Sequence, residues 1–243
     1  MTAEPSAGEM GRAEIVARYA GVAPSAWGLD VPGVVTRLST QDRVVALTFD
    51  ACGGARGGGY DAALIDGLRS TKTRATLFLN HRWVLAHPDV TAELASEPLF
   101  ELANHGTQHR PLSVTGRSAY GIAGTAGPGE VYDEIVGNRQ SLTGAAGVPP
   151  RFFRSGTAHC DDVAVRIARD LGETVVNFDV NGDAGATLTP RQVAAALESA
   201  TPGSIVLCHM NQPGSGTARG LATALPRLAE AGFRFVRLSD YLR

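Results

Sequence analysis

Short apolar runs alternate with longer amphipathic stretches from residue 44 onward. Val44-Val45-Ala46-Leu47-Thr48-Phe49 is continuous and stops at Asp50. A run that is apolar on both faces suits a strand buried in a parallel sheet. Comparable runs occupy residues 75–79, 100–103, 151–154, 174–178, 204–208 and 233–238. Between them the spacing predicts helices over 60–69, 87–97, 130–142, 161–171, 189–199 and 221–231. Their ends carry local signals. Pro88 lies near one start, Asp161 or Asp162 caps another, and Thr189 precedes Pro190 at a first helical position. Gly232 stops the last helix. Strands alternating with helices imply a parallel sheet covered by helices, hence an α/β barrel or a doubly wound sheet.

Before residue 44 the pattern is weaker. Residues 2–11 read as disordered and residues 14–19 as a short helix. Residues 21–33, with Pro24, Gly28 and Pro32, read as an extended arm wrapping the body. Residues 110–129 carry glycine, serine and proline and predict a long loop. The expected division is an N-terminal arm, 1–40, and one catalytic domain, 41–243.

Composition narrows the class. The chain has 243 residues, 44% hydrophobic and 19% charged, enough for one large α/β domain with a substantial core. A net charge of −2 without a basic run argues against nucleic acid or an anionic membrane as partner. No apolar run approaches the length of a membrane span. Met1 to Met10 contain no apolar signal region, so the chain as written is expected to be cytoplasmic. A mature fragment of a secreted or cell-envelope protein would look the same. Three cysteines, Cys52, Cys160 and Cys208, argue against a full disulfide framework. Buried thiols are expected, but each lies near a candidate catalytic residue, so one as a metal ligand stays open.

The candidate chemistry sits where apolar runs end. His105 and His109 are spaced i, i+4, which on a helical turn puts both imidazoles on one side, close enough to share a metal ion. Asp50, Arg154, Asp179 or Asp183, and His209 also follow strands. One end of a parallel barrel gathers such residues into a single cleft. The glycine-rich run 53–59 lacks the G-K-[ST] ending of a phosphate loop and is expected to let backbone pass near the site. His159 reads as a loop residue, and His81 and His87 as surface or packing residues.

In this order the residues resemble the polysaccharide deacetylases with the NodB homology domain, carbohydrate esterase family four. Thr48-Phe49-Asp50 resembles the first motif, and His105-Gly106-Thr107-Gln108-His109 the metal-binding second, with a glycine in its first variable place. Phe153-Arg154 resembles the arginine motif. The region from Asp179 to Asp183 stands at the fourth, and Ile205-Val206-Leu207-Cys208-His209 resembles the last. The resemblance implies a distorted (β/α) barrel of about seven parallel strands with an N-terminal extended arm. It also implies metal-dependent removal of N-acetyl or other N-acyl groups from an amino sugar or glycan, such as peptidoglycan or chitooligosaccharide. By the same analogy Asp50 is the base and Arg154 holds it ionised. His209 is the acid, oriented by Asp183 first or Asp179 second. The Thr157 backbone amide and Leu207 contact substrate.

The chain also departs from the family. Ala51 stands where the pattern has a second aspartate, a metal ligand. His105, His109 and Asp50 are then the expected metal set, with the Cys52 thiolate as an alternative that favours zinc. Ala184 replaces a tryptophan, and Ser155-Gly156-Thr157 replaces a proline–aromatic pair, so the pocket could take more than acetyl. A small acylated metabolite is therefore the alternative substrate. A catalytically weak glycan-binding module, or a non-hydrolytic acid–base enzyme such as an epimerase, is the alternative class.

Overall fold

The computed structural model describes residues 10–55 and 57–242. Residues 2–9 of the segment expected to be disordered lie outside them. The chain enters through helix α1 (Arg12–Arg18) and a two-residue strand β1 (Trp27–Gly28). Strand β2 (Val44–Ala51) opens the regular part. It is followed by α2 (Ala62–Ser70), β3 (Ala75–Leu79), α3 (His81–Ala86), α4 (Pro88–Ser96) and β4 (Phe100–Asn104). A long loop leads to α5 (Pro128–Ala146), β5 (Phe152–Phe153), β6 (Cys160–Asp161) and α6 (Asp162–Asp170). Then come β7 (Thr174–Val175), β8 (Val180–Asn181), α7 (Pro190–Glu198), β9 (Ser204–His209), α8 (Thr217–Glu230) and β10 (Arg234–Val236).

The main sheet runs β7-β5-β4-β3-β2-β9-β8, all parallel, and curls into a distorted (β/α) barrel. β10 pairs with the first half of β2, and β3 with its second half. Alternation separates the two faces. Val44, Ala46, Phe78, Ala103, Phe152 and Ile205 fill the interior. Val45, Leu47, Phe49, Leu77 and Val206 face outward, against Leu64 and Ile65 of α2, Val193 of α7 and Leu221 of α8. Among the described residues no helix is long and apolar enough to cross a membrane.

Two elements differ from the sequence expectation. The run 174–178 is not one strand. Val176 still donates to Phe153 O, but Asp179 donates to Ile205 O, so the chain changes partner halfway. The seam between β7 and β8 is bridged by the arm, where Val35 pairs with Val176 and Arg37 with Ser204. The stretch 87–97 is preceded by a separate helix, α3. His87 has φ −132° and ψ 56° between α3 and α4, because Pro88 disfavours helical geometry in the residue before it.

The arm is anchored along its length. Ile15 is fully buried against the cluster of Val131, Ile135, Val163 and Ile167. β1 pairs antiparallel with β6. Asp162 accepts from Ser25 N at 2.7 Å and Ala26 N at 2.9 Å.

Candidate active site

Strand alternation places the first residues of the site. Thr48 and Asp50 follow Val44 and Ala46 on the interior face, while Ala51 is buried against the helical layer. Register pairs Thr48 with Leu207 and Asp50 with His209 at the C-terminal end of the barrel. Asp50 is 4% exposed and Arg154 is 0% exposed. Arg154 Nη1 donates to Asp50 Oδ1 at 2.7 Å and to Thr48 Oγ1 at 3.0 Å. Its Nε and Nη2 donate to Val176 O and Asn177 O, both at 3.0 Å, and its guanidinium lies over the Phe78 ring. Burial pushes the Asp50 carboxyl up, but Arg154, His105 and His209 outweigh it and hold Asp50 below the usual carboxylate range.

His105 ends β4 and is buried. Its Nδ1 lies 2.9 Å from Arg154 O. A carbonyl only accepts, so Nδ1 carries a proton there, and Nε2 is the nitrogen turned to the cleft. His105 Nε2 lies 3.8 Å from Cys52 Sγ and 3.5 Å from Asp50 Oδ2. His109 stands edge-on to His105, ring centroids 4.9 Å apart. His109 Nε2 is buried without a hydrogen-bond partner among the described residues. A Cβ on Gly156 would fall 2.5 Å from His109 Cγ, so that glycine gives the imidazole its place.

The ligand atoms of Cys52, His105 and His109 all lie within 4.8 Å of one another. The buried, unpaired Nε2 of His109 is the kind of atom a metal ion satisfies. Burial pushes the Cys52 thiol up, but hydrogen bonding to His105, His109 and His209 outweighs it and holds the thiol well below its ordinary range. The donors fit a divalent metal. Asp50, expected as the third ligand, lies outside this cluster, its Oδ1 bound to Arg154. Cys52, the alternative weighed in the sequence, has its Sγ in this cluster instead.

His209 and Asp183 form the other half. Asp183 is fully buried. Its Oδ1 lies 2.8 Å from His209 Nδ1, and its Oδ2 accepts from His209 N at 2.7 Å and Thr217 Oγ1 at 3.0 Å. Burial pulls His209 down, but Asp183, Cys52 and Asp50 outweigh it and raise the imidazole well above its usual value. Asp179 is elsewhere. It accepts from Ile205 N at 2.8 Å and Ser204 Oγ at 2.9 Å, and it pairs with Arg37 of the arm.

Thr157 lies in the loop beyond Gly156, its carbonyl 2.8 Å from His159 Nδ1. Leu207 is 7% exposed and shares the interior face with His209. The other thiols stay out of the cluster. Cys208 is buried toward the helical layer, and Cys160 lies under the arm. His81 packs against Ser141 and His87 against Gly58 O.

Comparison with known proteins agrees with this geometry. A family model for polysaccharide deacetylase matches residues 37–176. A peptidoglycan-N-acetylglucosamine deacetylase of Bacillus cereus is 25% identical over 220 residues, covering 88% of this chain and 96% of that protein. An uncharacterized protein of Streptomyces coelicolor is 31% identical over 222 residues, 88% of this chain and 79% of that one. In fold, the chain matches the crystal structure of a CE4 family pseudoenzyme from Bacillus anthracis with a TM-score of 0.73 at 23% identity, covering 88% of this chain and 70% of that one. From motif order, barrel and family match together, the chain belongs to the polysaccharide deacetylases, hydrolases of carbon–nitrogen bonds other than peptide bonds.

Proposed function

We propose that this chain is a zinc-dependent N-deacetylase acting on an N-acetylated amino sugar within a glycan such as peptidoglycan or chitooligosaccharide. The observation that carries the reading is the Cys52, His105 and His109 cluster beside Asp50 and His209 at one end of the barrel. A divalent ion held by these three residues would supply Lewis-acid polarisation of the amide carbonyl and activation of water at neutral pH. A thiolate with two imidazoles suits zinc better than magnesium, calcium or manganese. Cys52, His105 and His109 would be the protein's donors to that ion.

The chain's own groups do the proton work. Asp50 takes the proton from the attacking water through Oδ2, while Arg154 fixes Oδ1 and keeps the carboxylate charged. His209 presents Nε2, with Nδ1 held on Asp183. Its raised affinity for a proton fits a group that protonates the departing amine and steadies the oxyanion. The Thr157 amide and Leu207 border the acyl group. The name of the Bacillus cereus relative supports an N-acetylated sugar as substrate. Ala184 after Asp183 leaves room for a longer acyl chain and favours, as a second reading, a small acylated metabolite.

The test is acetate release from N-acetyl chitooligosaccharides and peptidoglycan fragments, with longer-chain N-acyl substrates in parallel. Chelation is expected to abolish release and zinc to restore it. The cobalt-loaded protein is expected to show a sulfur-to-metal charge-transfer band that Cys52→Ser removes. Turnover that survives complete metal removal would sink the proposal.

A further inference from the structure

Residues 105–110 leave β4 as an irregular turn, with Gly106 at φ 79° and His109 at φ 63°. Left-handed geometry at a residue other than glycine is strained and persists only where the surroundings enforce it. Glu134, in the second turn of α5, enforces it here. The residue is 3% exposed. Its Oε1 and Oε2 accept from Gln108 N at 3.1 and 3.0 Å, and Oε1 accepts from Arg110 N at 3.2 Å. The amide of His109 also faces this carboxylate. Successive backbone N–H groups turned onto one anion form a concave cradle, and here the anion belongs to the protein itself.

The same helix grips the turn twice more. Glu134 O accepts from Thr107 N and Thr107 Oγ1, both at 2.9 Å. A Cβ on Gly106 would fall 2.4 Å from Glu134 Oε1, so this glycine leaves the space the carboxylate fills. The carboxylate lies outside the cluster of ligand atoms. Its reach to that cluster runs through the backbone of His109.

We propose that Glu134 is a positioning residue for the metal centre, locking residues 106–110 so that His109 Nε2 meets His105 and Cys52 before an ion arrives. The inference rests on reading those three residues as a metal site. Its consequence is that Glu134 sets metal affinity without touching metal or substrate.

Zinc affinity is measured by chelator competition on the full chain, for wild type, Glu134→Gln, His109→Ala and the double variant. Loss of an outer-sphere partner of this kind is expected to weaken binding by about ten- to a hundredfold. Adding Glu134→Gln to His109→Ala should cost less than about threefold more, because the effect passes through a side chain already removed. Gly106→Ala pushes a methyl group against the carboxylate and should reproduce the loss at unchanged charge, which keeps the test readable if Glu134→Gln folds poorly. Wild-type affinity in Glu134→Gln and Gly106→Ala overturns the proposal, as does an equal loss with and without His109. A wild-type protein that binds no zinc overturns the metal reading and this proposal with it.

Discussion

Asp183→Asn separates orientation from mere presence at His209. In the folded chain Asp183 Oδ2 accepts two hydrogen bonds and Oδ1 takes the third, from His209 Nδ1. Asparagine keeps the shape but has one oxygen. That oxygen stays with the two donors, His209 N and Thr217 Oγ1, so the new NH₂ faces His209 Nδ1. The imidazole must then accept at Nδ1 and cannot hold a second proton there. The proton donor proposed for the departing amine is then lost in its charged form. General acid catalysis is worth about 10²–10⁴-fold, so kcat should fall by that factor. At about 1.36 kcal/mol per decade this is roughly 3–5 kcal/mol of barrier. Asp183 lies outside the Cys52, His105 and His109 cluster, so zinc content should not change. The assay is acetate release at saturating substrate, with metal content measured on the same preparation. A variant with full zinc and kcat within about threefold of wild type would refute the reasoning, because an effect that small is below any general-acid contribution.

Two further outcomes follow from charged groups held by hydrogen bonds. Arg154→Lys offers one ammonium in place of a fork that serves Asp50, Thr48, Val176 O and Asn177 O. It should lower unfolding free energy by about 3–5 kcal/mol in urea titration, and a loss below about 1 kcal/mol would contradict the account. Asp162 tests the arm. Burial pushes its carboxyl up, but the amides of Ala26 and Ser25 and the Ser25 hydroxyl hold it below its ordinary value. A depressed folded value means stability that is present above the unfolded pKa and is lost as pH falls through the folded one. The gap in urea midpoint between wild type and Asp162→Asn should therefore shrink as pH drops from about 6 to about 3, and a constant gap would count against the tether.

The barrel was legible in residues 44–49, 75–79 and 204–208 because a strand covered on both faces must be apolar on both. The break inside 174–178 was not, since a change of partner from Phe153 to Ile205 leaves no mark on side-chain pattern. His105, His109, Asp50, Arg154 and His209 were readable as polar residues at strand ends. Residue type alone does not rank Asp183 and Asp179; the resemblance put Asp183 first, and in the fold the amide of Ile205 takes up Asp179 while the ring of His209 meets Asp183. Ala51 read as a missing ligand, with Cys52 held as an alternative, and only the folded chain shows its Sγ beside both imidazoles. Glu134 stayed hidden, because nothing in the sequence ties a helical glutamate to a turn 26 residues earlier.

The stitch that Val35 and Arg37 make across the seam has a price in the order of assembly. Its two sides come from residues 176 and 204, so an early part of the chain must wait for a late one. Val35 can pair once Val176 is made, but Arg37 has no partner until synthesis reaches Ser204 of β9, and until then the seam is held on one side only. Bare rims recruit other strands, and long waits for distant partners slow folding. A nascent copy of this protein therefore carries an open seam in the interval between making the sheet and sewing it shut.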